Sequence, residues 1–433
     1  MLLLGLIMPW ADGAPGAAPE QFVLDNGCRV LFQSEAHSAT VAISALVELR
    51  ASQESPLRAG IRNLLALRAA TPEPDDEHTG AWPPGIRVDS STTRDYLALL
   101  VQCLPQDFPA ALALIRWRLF APELSAPQFE AARRKALGHI EATRGLPTAL
   151  ALSKLVEELY PGQRGAWPVT GSLASLLALD LEQVRQFHRD NFRANALVLS
   201  ISGDLTAAEV AAQARICFGD LLPGPARLDE EAFSPHPTAG EPQWLTMSGV
   251  DTSVVAVGGR APHLGAEDYP AGAVLVALLG SGMGSRLFQA LRAQRSLAYT
   301  VQAALTPSVV CGHAYVLATC SQANLEAVRA EIDSQIESVL AGGVTEDEVA
   351  RARKFVVNSF VLGNQRNRDI AHYLGVFYGS GGASGVQTHQ QFAQLIADVS
   401  AEQVQKSCAQ IFGRRIVVVV EGTGTRPNGL GLK

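Results

Sequence analysis

Apolar and polar positions along this chain predict an ordered succession of strands and helices. Two short apolar runs in residues 22–33 flank Asp25-Asn26-Gly27, a combination typical of a β-hairpin with a type I′ turn. Period-2 and period-3.6 patterns then continue to the end of the first half. They predict strand at 39–49, helix at 57–70, strand at 86–103, helices at about 106–119, 125–160 and 179–192, and strand at 196–202.

The second half of the chain repeats the first. The string Glu-Gln-Val at 182–184 recurs at 402–404, and Phe192 recurs as Phe412, both 220 residues later. The repeated order of strands and helices implies an α+β fold. We therefore expect two homologous domains, each an antiparallel or mixed β-sheet with helices packed on one face.

Five prolines and a cluster of charged residues between Leu222 and Trp244 predict an interdomain linker. A chain of 433 residues is also too long for one ordinary hydrophobic core. The predicted division is a possible signal or flexible N-terminus at 1–19, an N-terminal domain at 20–221, a linker at 222–243, a C-terminal domain at 244–421 and a tail at 422–433.

The first 20 residues contain a short apolar run followed by small residues and proline, as in a secretory signal. That run is too short to span a bilayer, and no positive residue precedes it, since the first base of the chain is Arg29. A periplasmic and a cytoplasmic location are therefore expected with equal weight.

Composition indicates a folded protein with a large interior, because hydrophobic residues make up 47% and charged residues 18% of the chain. The formal charge is −7, and no long basic run or basic-aromatic cluster is present. This balance argues against nucleic acid as a partner.

The cysteines and histidines do not form a recognisable metal or disulfide motif. The six cysteines contain no CxxC and lie mostly in apolar segments, so we expect them to be buried as small hydrophobic residues. The nine histidines are dispersed, with no HxxxH or HExxH helix to present two imidazoles to one metal ion.

One stretch, residues 280–303, carries candidate chemistry. A glycine-rich turn leads into a predicted helix at 285–295, and alternation from Ala298 onward predicts a strand. Arg292 on the helix and Tyr299 at its end are thereby expected to lie close together. Spacing alone gives them no function, because a solvated arginine and a half-buried tyrosine are common.

The string SRLFQALRAQRSLAYTV resembles the C-terminal signature of the M16 zinc peptidases, the pitrilysin or mitochondrial-processing-peptidase-like family. The resemblance covers roughly residues 20–421. In that family an Arg/Tyr pair with this seven-residue spacing holds the substrate backbone beside the scissile bond. The resemblance therefore implies that Arg292 and Tyr299 are substrate-binding and catalytic, and that the two domains form half of a clamshell.

The zinc motif of the same family is missing. Its HxxEH helix aligns with residues 63–67, which places the two histidine ligands on Asn63 and Leu67 and the catalytic glutamate on Ala66. The third ligand falls on His139 in place of glutamate, and no HxxEH occurs anywhere in the sequence. We expect no zinc in this chain and no peptide hydrolysis by the chain alone.

The resemblance thus implies the non-zinc subunit of a heterodimeric M16B metallopeptidase, with zinc held by an HxxEH-containing partner subunit and a peptide as substrate. An inactive scaffold or binding subunit, like the core subunits of respiratory complexes with this fold, is the main alternative. A peptide-binding module acting alone is a third. The sequence does not identify the peptide.

Overall fold

The structure, a computed structural model, describes residues 18–49, 54–72, 82, 84–120, 124–225, 240–309 and 311–424. The signal-like segment, most of the predicted linker and most of the tail lie outside these residues. The strands of the two sheets come from separate halves of the chain, one before and one after residues 226–239.

The first half begins with three strands and ends with a strand and a helix. Its elements are β1 (Glu20–Val23), β2 (Arg29–Ser34), β3 (Val41–Glu48), α1 (Ile61–Ala69), β4 (Arg87–Thr92), β5 (Tyr96–Cys103), α2 (Phe108–Phe120), α3 (Ala126–Arg144), α4 (Pro147–Leu159), α5 (Leu173–Ala178), α6 (Leu181–Asn191), β6 (Leu197–Gly203) and α7 (Ala207–Phe218).

The second half follows the succession from β2 to β6, with a short π-helix (Phe288–Gln294) before its third strand. Its other elements are β7 (Gln243–Met247), β8 (Thr252–Arg260), α8 (Tyr269–Gly280), β9 (Ala298–Thr306), β10 (His313–Ser321), α9 (Leu325–Leu340), α10 (Glu346–Gly363), α11 (Asn367–Gly381), α12 (Ala383–Ala397), α13 (Ala401–Phe412) and β11 (Ile416–Gly422). None of the helices in the described ranges is long and apolar enough to cross a membrane.

Both sheets are mixed and have corresponding strand orders. The first sheet runs β1-β2-β6-β3-β5-β4 and the second β7-β11-β8-β10-β9. When β2 to β6 are matched in sequence order with β7 to β11, the two orders coincide. The pairs β2–β6 and β7–β11 are parallel, and the remaining pairs are antiparallel. The predicted α+β fold with two homologous sheets is confirmed.

Each sheet has a large apolar core on one face, beneath helices of its own half. The opposite face is covered by a helix of the other half. Leu374 of α11 packs with Leu46 and Val198 on the first sheet, while Leu155 of α4 packs with Val254 on the second. The two halves are therefore joined by an exchange of helices, which the sequence pattern did not predict.

Local differences from the sequence prediction have identifiable causes. The predicted helix at 125–160 is two helices, because Pro147 forces Leu146 into an extended conformation (φ −98°, ψ 113°). The hairpin at residue 25 forms, but its turn is not type I′. Only Gly27 has a positive φ, of 85°, and its N–H donates to the Leu24 carbonyl at 2.8 Å, as in a turn closed by a glycine bulge.

The cysteines behave largely as predicted. All six are free thiols; five are buried and Cys217 is half-buried. Burial raises the pKa of the Cys28, Cys103 and Cys408 thiols to about 12, which keeps them protonated and unreactive.

Candidate functional site

The positions that the resemblance assigns to zinc lie on α1 and α3, which pack against each other. On α1, Asn63 and Leu67 are half-buried, and Ala66 is 1% exposed within the core of the first half. Leu67 packs against the same core. These three side chains offer one amide and two hydrocarbon groups, so this face of α1 is built for packing.

On α3, His139 is exposed and Ala132 is buried in the core. The His139 carbonyl accepts a hydrogen bond from the Thr143 hydroxyl at 3.0 Å, while no hydrogen bond to its imidazole occurs within the described ranges. One turn earlier, the Lys135 ammonium donates to the Thr71 hydroxyl at 3.2 Å, close to the C-terminal end of α1. Lys135 and Thr71 are each four residues from a position that the resemblance assigns to zinc, His139 and Leu67 respectively.

The donor set does not fit zinc. Zinc in proteins is held by imidazole, thiolate and carboxylate groups in a tetrahedral arrangement. The set contains a single imidazole, from His139, and the neutral amide of Asn63 is a poor ligand. Among the residues that the structure describes, no three His, Cys, Asp or Glu side chains come together in a group that could hold a metal ion.

Arg62, the residue before Asn63, is a buried cation that sequence reasoning did not single out. It is 1% exposed, and its Nε donates to Glu54 Oε1 at 2.5 Å. Its Nη1 donates to the carbonyls of Leu49 and Thr93 at 2.5 and 2.9 Å. An arginine within the apolar pattern of α1 was the available signal. These bonds tie α1 to the end of β3 and to the β4–β5 turn.

The glycine-rich turn of the second half is fixed by its own contacts. Gly282 has a φ of 81°, and a Cβ there would lie 2.8 Å from the ring of Phe355. The Ser285 hydroxyl donates to the Gly282 carbonyl at 2.8 Å, and Gln289 Nε2 donates to the Met283 carbonyl at 2.6 Å. The positive φ therefore favours glycine at position 282, and an added Cβ would also displace the Phe355 ring.

Arg286 anchors the start of the following helix to α10. Its Nε and Nη2 donate to the two carboxylate oxygens of Glu348 at 2.7 and 2.8 Å, and Nη2 also donates to the Gly343 carbonyl. The hydrogen bond from Arg286 is the main cause that lowers the pKa of Glu348 to about 2. A bidentate arginine–carboxylate pair of this kind holds both partners in one geometry.

Arg292 lies in a π-helix, whereas ordinary helical spacing led us to expect an α-helix at 285–295. Residues 288–294 adopt the wider form, which is frequently found at functional sites. The Arg292 guanidinium stacks on the Phe288 ring, 5.4 Å from its centroid. Arg292 is exposed and makes no ion pair with any residue in the described part of the chain.

Tyr299 occupies an irregular position at the start of β9. Thr300 pairs with Thr319 and Ala298 with Cys320, so Tyr299 is the extra residue of a β-bulge. β9 is one of the two edge strands of the second sheet, and Tyr299 is 56% exposed. Its hydroxyl has no hydrogen-bond partner within the described ranges.

The structure presents Arg292 and Tyr299 on one exposed segment but does not join them. No hydrogen bond between the two side chains occurs in the residues described. Both polar groups are accessible to another molecule. This arrangement can supply a guanidinium and a phenol as hydrogen-bond donors to an external acceptor.

The chain is similar to known proteins both in sequence and in fold. A family model described as the Peptidase M16 inactive domain matches residues 178–356. An uncharacterised zinc protease of Mycobacterium tuberculosis is 26% identical over 422 residues, covering 95% of each chain. These matches support the M16 family.

Solved M16-like structures have the same fold. The peptidase M16 inactive domain of Pseudomonas fluorescens superposes with a TM-score of 0.82 at 20% identity, covering 94% of this chain and 100% of that one. A chain of the complex III dimer of Candida albicans gives a TM-score of 0.79 at 14% identity, covering 93% and 95%. At these identities the likeness establishes the M16-like fold and nothing about chemistry.

Proposed function

We propose that this chain is the non-zinc subunit of a heterodimeric M16B metallopeptidase. It would supply Arg292 and Tyr299 to an HxxEH-containing partner subunit that holds zinc and hydrolyses peptides. The observation that carries the proposal is that both side chains are accessible and make no ion pair or hydrogen bond within the described residues, while the positions assigned to zinc lack a ligand set.

The proposed chemical role of this chain is to donate hydrogen bonds to the substrate. Arg292 donates charged hydrogen bonds to a substrate carbonyl and so positions the peptide backbone. Tyr299 donates a hydrogen bond from its phenol to the oxygen that gains negative charge when water attacks the scissile carbonyl. Zinc in the partner supplies the activated water. The supports of the segment, Arg286 with Glu348 and the Gly282 turn, keep the donors in place before substrate arrives.

The main alternative is an inactive scaffold subunit, and a chain of the Candida albicans complex III dimer has the same fold. A scaffold needs neither an exposed guanidinium nor an exposed phenol at these positions. The retention of Arg292 and Tyr299 with an intact turn favours the peptidase role. A binding module acting alone would migrate as a free chain in size-exclusion chromatography even when the HxxEH homologue of the same genome is present.

The test is to co-express the chain with that HxxEH homologue and measure peptide hydrolysis by the purified complex. Loss of one oxyanion donor costs on the order of 10²- to 10³-fold in rate, so Tyr299→Phe should lower kcat by about that factor while KM changes little. Arg292→Ala should also raise KM, because a backbone contact acts in the ground state.

Tyr373→Phe is the matched control, since Tyr373 is another exposed tyrosine, on α11, and should leave kcat unchanged. Size-exclusion chromatography should show the same complex for every variant. A fully active Tyr299→Phe complex would reject the catalytic role and favour the scaffold.

A further inference from the structure

A cationic and apolar patch lies beside the segment that carries Arg292 and Tyr299. It consists of Met283 on the glycine turn and of Arg351, Lys354 and Phe355 on α10; we call it the α10 patch. The ring of Phe355 lies against Gly282, next to Met283 in the chain. Met283 is 75% and Phe355 42% exposed, although both are large apolar side chains.

No acid among the described residues neutralises the positive charge of the α10 patch. Residues 349–368 contain five basic residues and no acid, in a protein whose net charge is −7. Three of the five bases pair with acids, namely Arg353 with Glu346, Arg366 with Asp369 and Arg368 with Asp89.

Arg351 and Lys354, the other two bases, are exposed and make no ion pair within the described ranges. Asp347 lies one turn before Arg351, but no ion pair joins them. A surface of this composition is complementary to an acidic chain that also carries an apolar side chain.

The position of the α10 patch determines which occupant fits. Arg286 pairs with Glu348 and Gly282 contacts Phe355, so the turn runs along α10 toward the patch. The same turn leads directly into the segment that carries Arg292 and Tyr299. A peptide held by the two donors can therefore continue onto the patch in an extended conformation.

We infer that the α10 patch selects acidic peptides, binding one apolar and one or more acidic side chains of a peptide that is held by Arg292 and Tyr299. This inference rests on the proposed function for its substrate class. Its physical basis is separate, since it depends on Arg351, Lys354, Phe355 and Met283 and not on the two donors.

The experiment measures peptide binding to the purified full-length chain, without partner or catalysis. The probes are a fluorescein-labelled peptide of alternating Asp, Leu, Glu and Phe and the same peptide with lysine at every acidic position. Fluorescence anisotropy should show about ten-fold tighter binding of the acidic peptide, with a preference that falls as salt is raised.

The decisive variant is the double charge reversal Arg351→Glu with Lys354→Glu, both exposed positions where folding should be retained. It should remove the preference for the acidic peptide. The control is Arg215→Glu with Lys406→Glu, which makes the same change in net charge on α7 and α13 at exposed residues. Met283→Ser should weaken the binding of both peptides, because it removes the apolar contact.

Equal binding of the two peptides, or equal effects of the two double variants, would overturn the inference. It would also be overturned if the α10 double variant abolished assembly with the HxxEH homologue and left peptide preference unchanged, since the patch would then be a subunit interface. Failure of Tyr299→Phe to affect catalysis would reject the proposed function while leaving this binding result standing.

Discussion

Removal of the Arg286 side chain should destabilise the second half of the protein with a defined pH dependence. Arg286 donates two hydrogen bonds to the carboxylate of Glu348, and the two side chains are 12% and 21% exposed. The same carboxylate accepts a hydrogen bond from the Thr345 N–H at the start of α10. The substitution Arg286→Met keeps an unbranched apolar stem and removes the charge and the donors.

The magnitude follows from the pKa of Glu348, which is lowered from 4.5 to about 2. A shift of that size is equivalent to about 3 kcal/mol of stability. Water reaches part of the pair, and Thr345 also contributes to the shift, so the share of Arg286 is about 1–2 kcal/mol. Because the folded-state pKa is the lower one, this stability is present above about pH 4.5 and is lost as the pH falls toward 2.

The assay is urea unfolding of the wild type and Arg286→Met at constant ionic strength, from about pH 7 to about pH 3. The difference in unfolding free energy should be constant down to about pH 4.5 and then shrink. Arg329→Ala, which removes a more exposed ion pair with Glu326 on α9, should cost less than about 0.5 kcal/mol at every pH. A difference for Arg286→Met that did not change with pH would refute the electrostatic account.

Two further predictions concern the metal and the packing of the second sheet. Metal analysis after dialysis should find no stoichiometric zinc in the purified chain, and one tightly bound zinc per chain that is lost in His139→Ala would contradict the assignment of the site. Gly259→Ala should lower the unfolding free energy by more than about 3 kcal/mol, because the added Cβ would lie 1.6 Å from the Ile411 carbonyl oxygen. An unchanged urea midpoint for Gly259→Ala would contradict that packing.

The duplicated α+β fold could be predicted because the signals for it are local. Strand alternation, helical spacing and an offset of 220 residues are all present in the sequence itself. The exchange of α4 and α11 could not be predicted in the same way. A helix buried under its own sheet and one buried under the other sheet have the same apolar pattern, since Leu155 and Leu374 carry no information about which sheet they meet.

In the candidate site, too, some features could be predicted from the sequence and others could not. Asn63, Ala66 and Leu67 could be judged from residue type, because hydrocarbon side chains cannot bind zinc in any fold. The α10 patch could be found only in the structure. Phe355 has the spacing of a core residue, but the structure shows that it is exposed and that it contacts Gly282 in the turn. The π-helix around Arg292 likewise has no signature in residue type.

The exchanged helices have a consequence for synthesis on the ribosome. The strands of the first sheet are complete at Gly203, but α11, which covers its second face, begins at Asn367. At elongation rates of about 5–20 residues per second, that face stays uncovered for about 10–30 s, until α11 is synthesised. Leu46, Ala98 and Val198 are exposed to other nascent chains throughout this interval. Newly made chains should therefore depend on holding chaperones, and a message truncated before α11 should yield aggregate instead of a stable half.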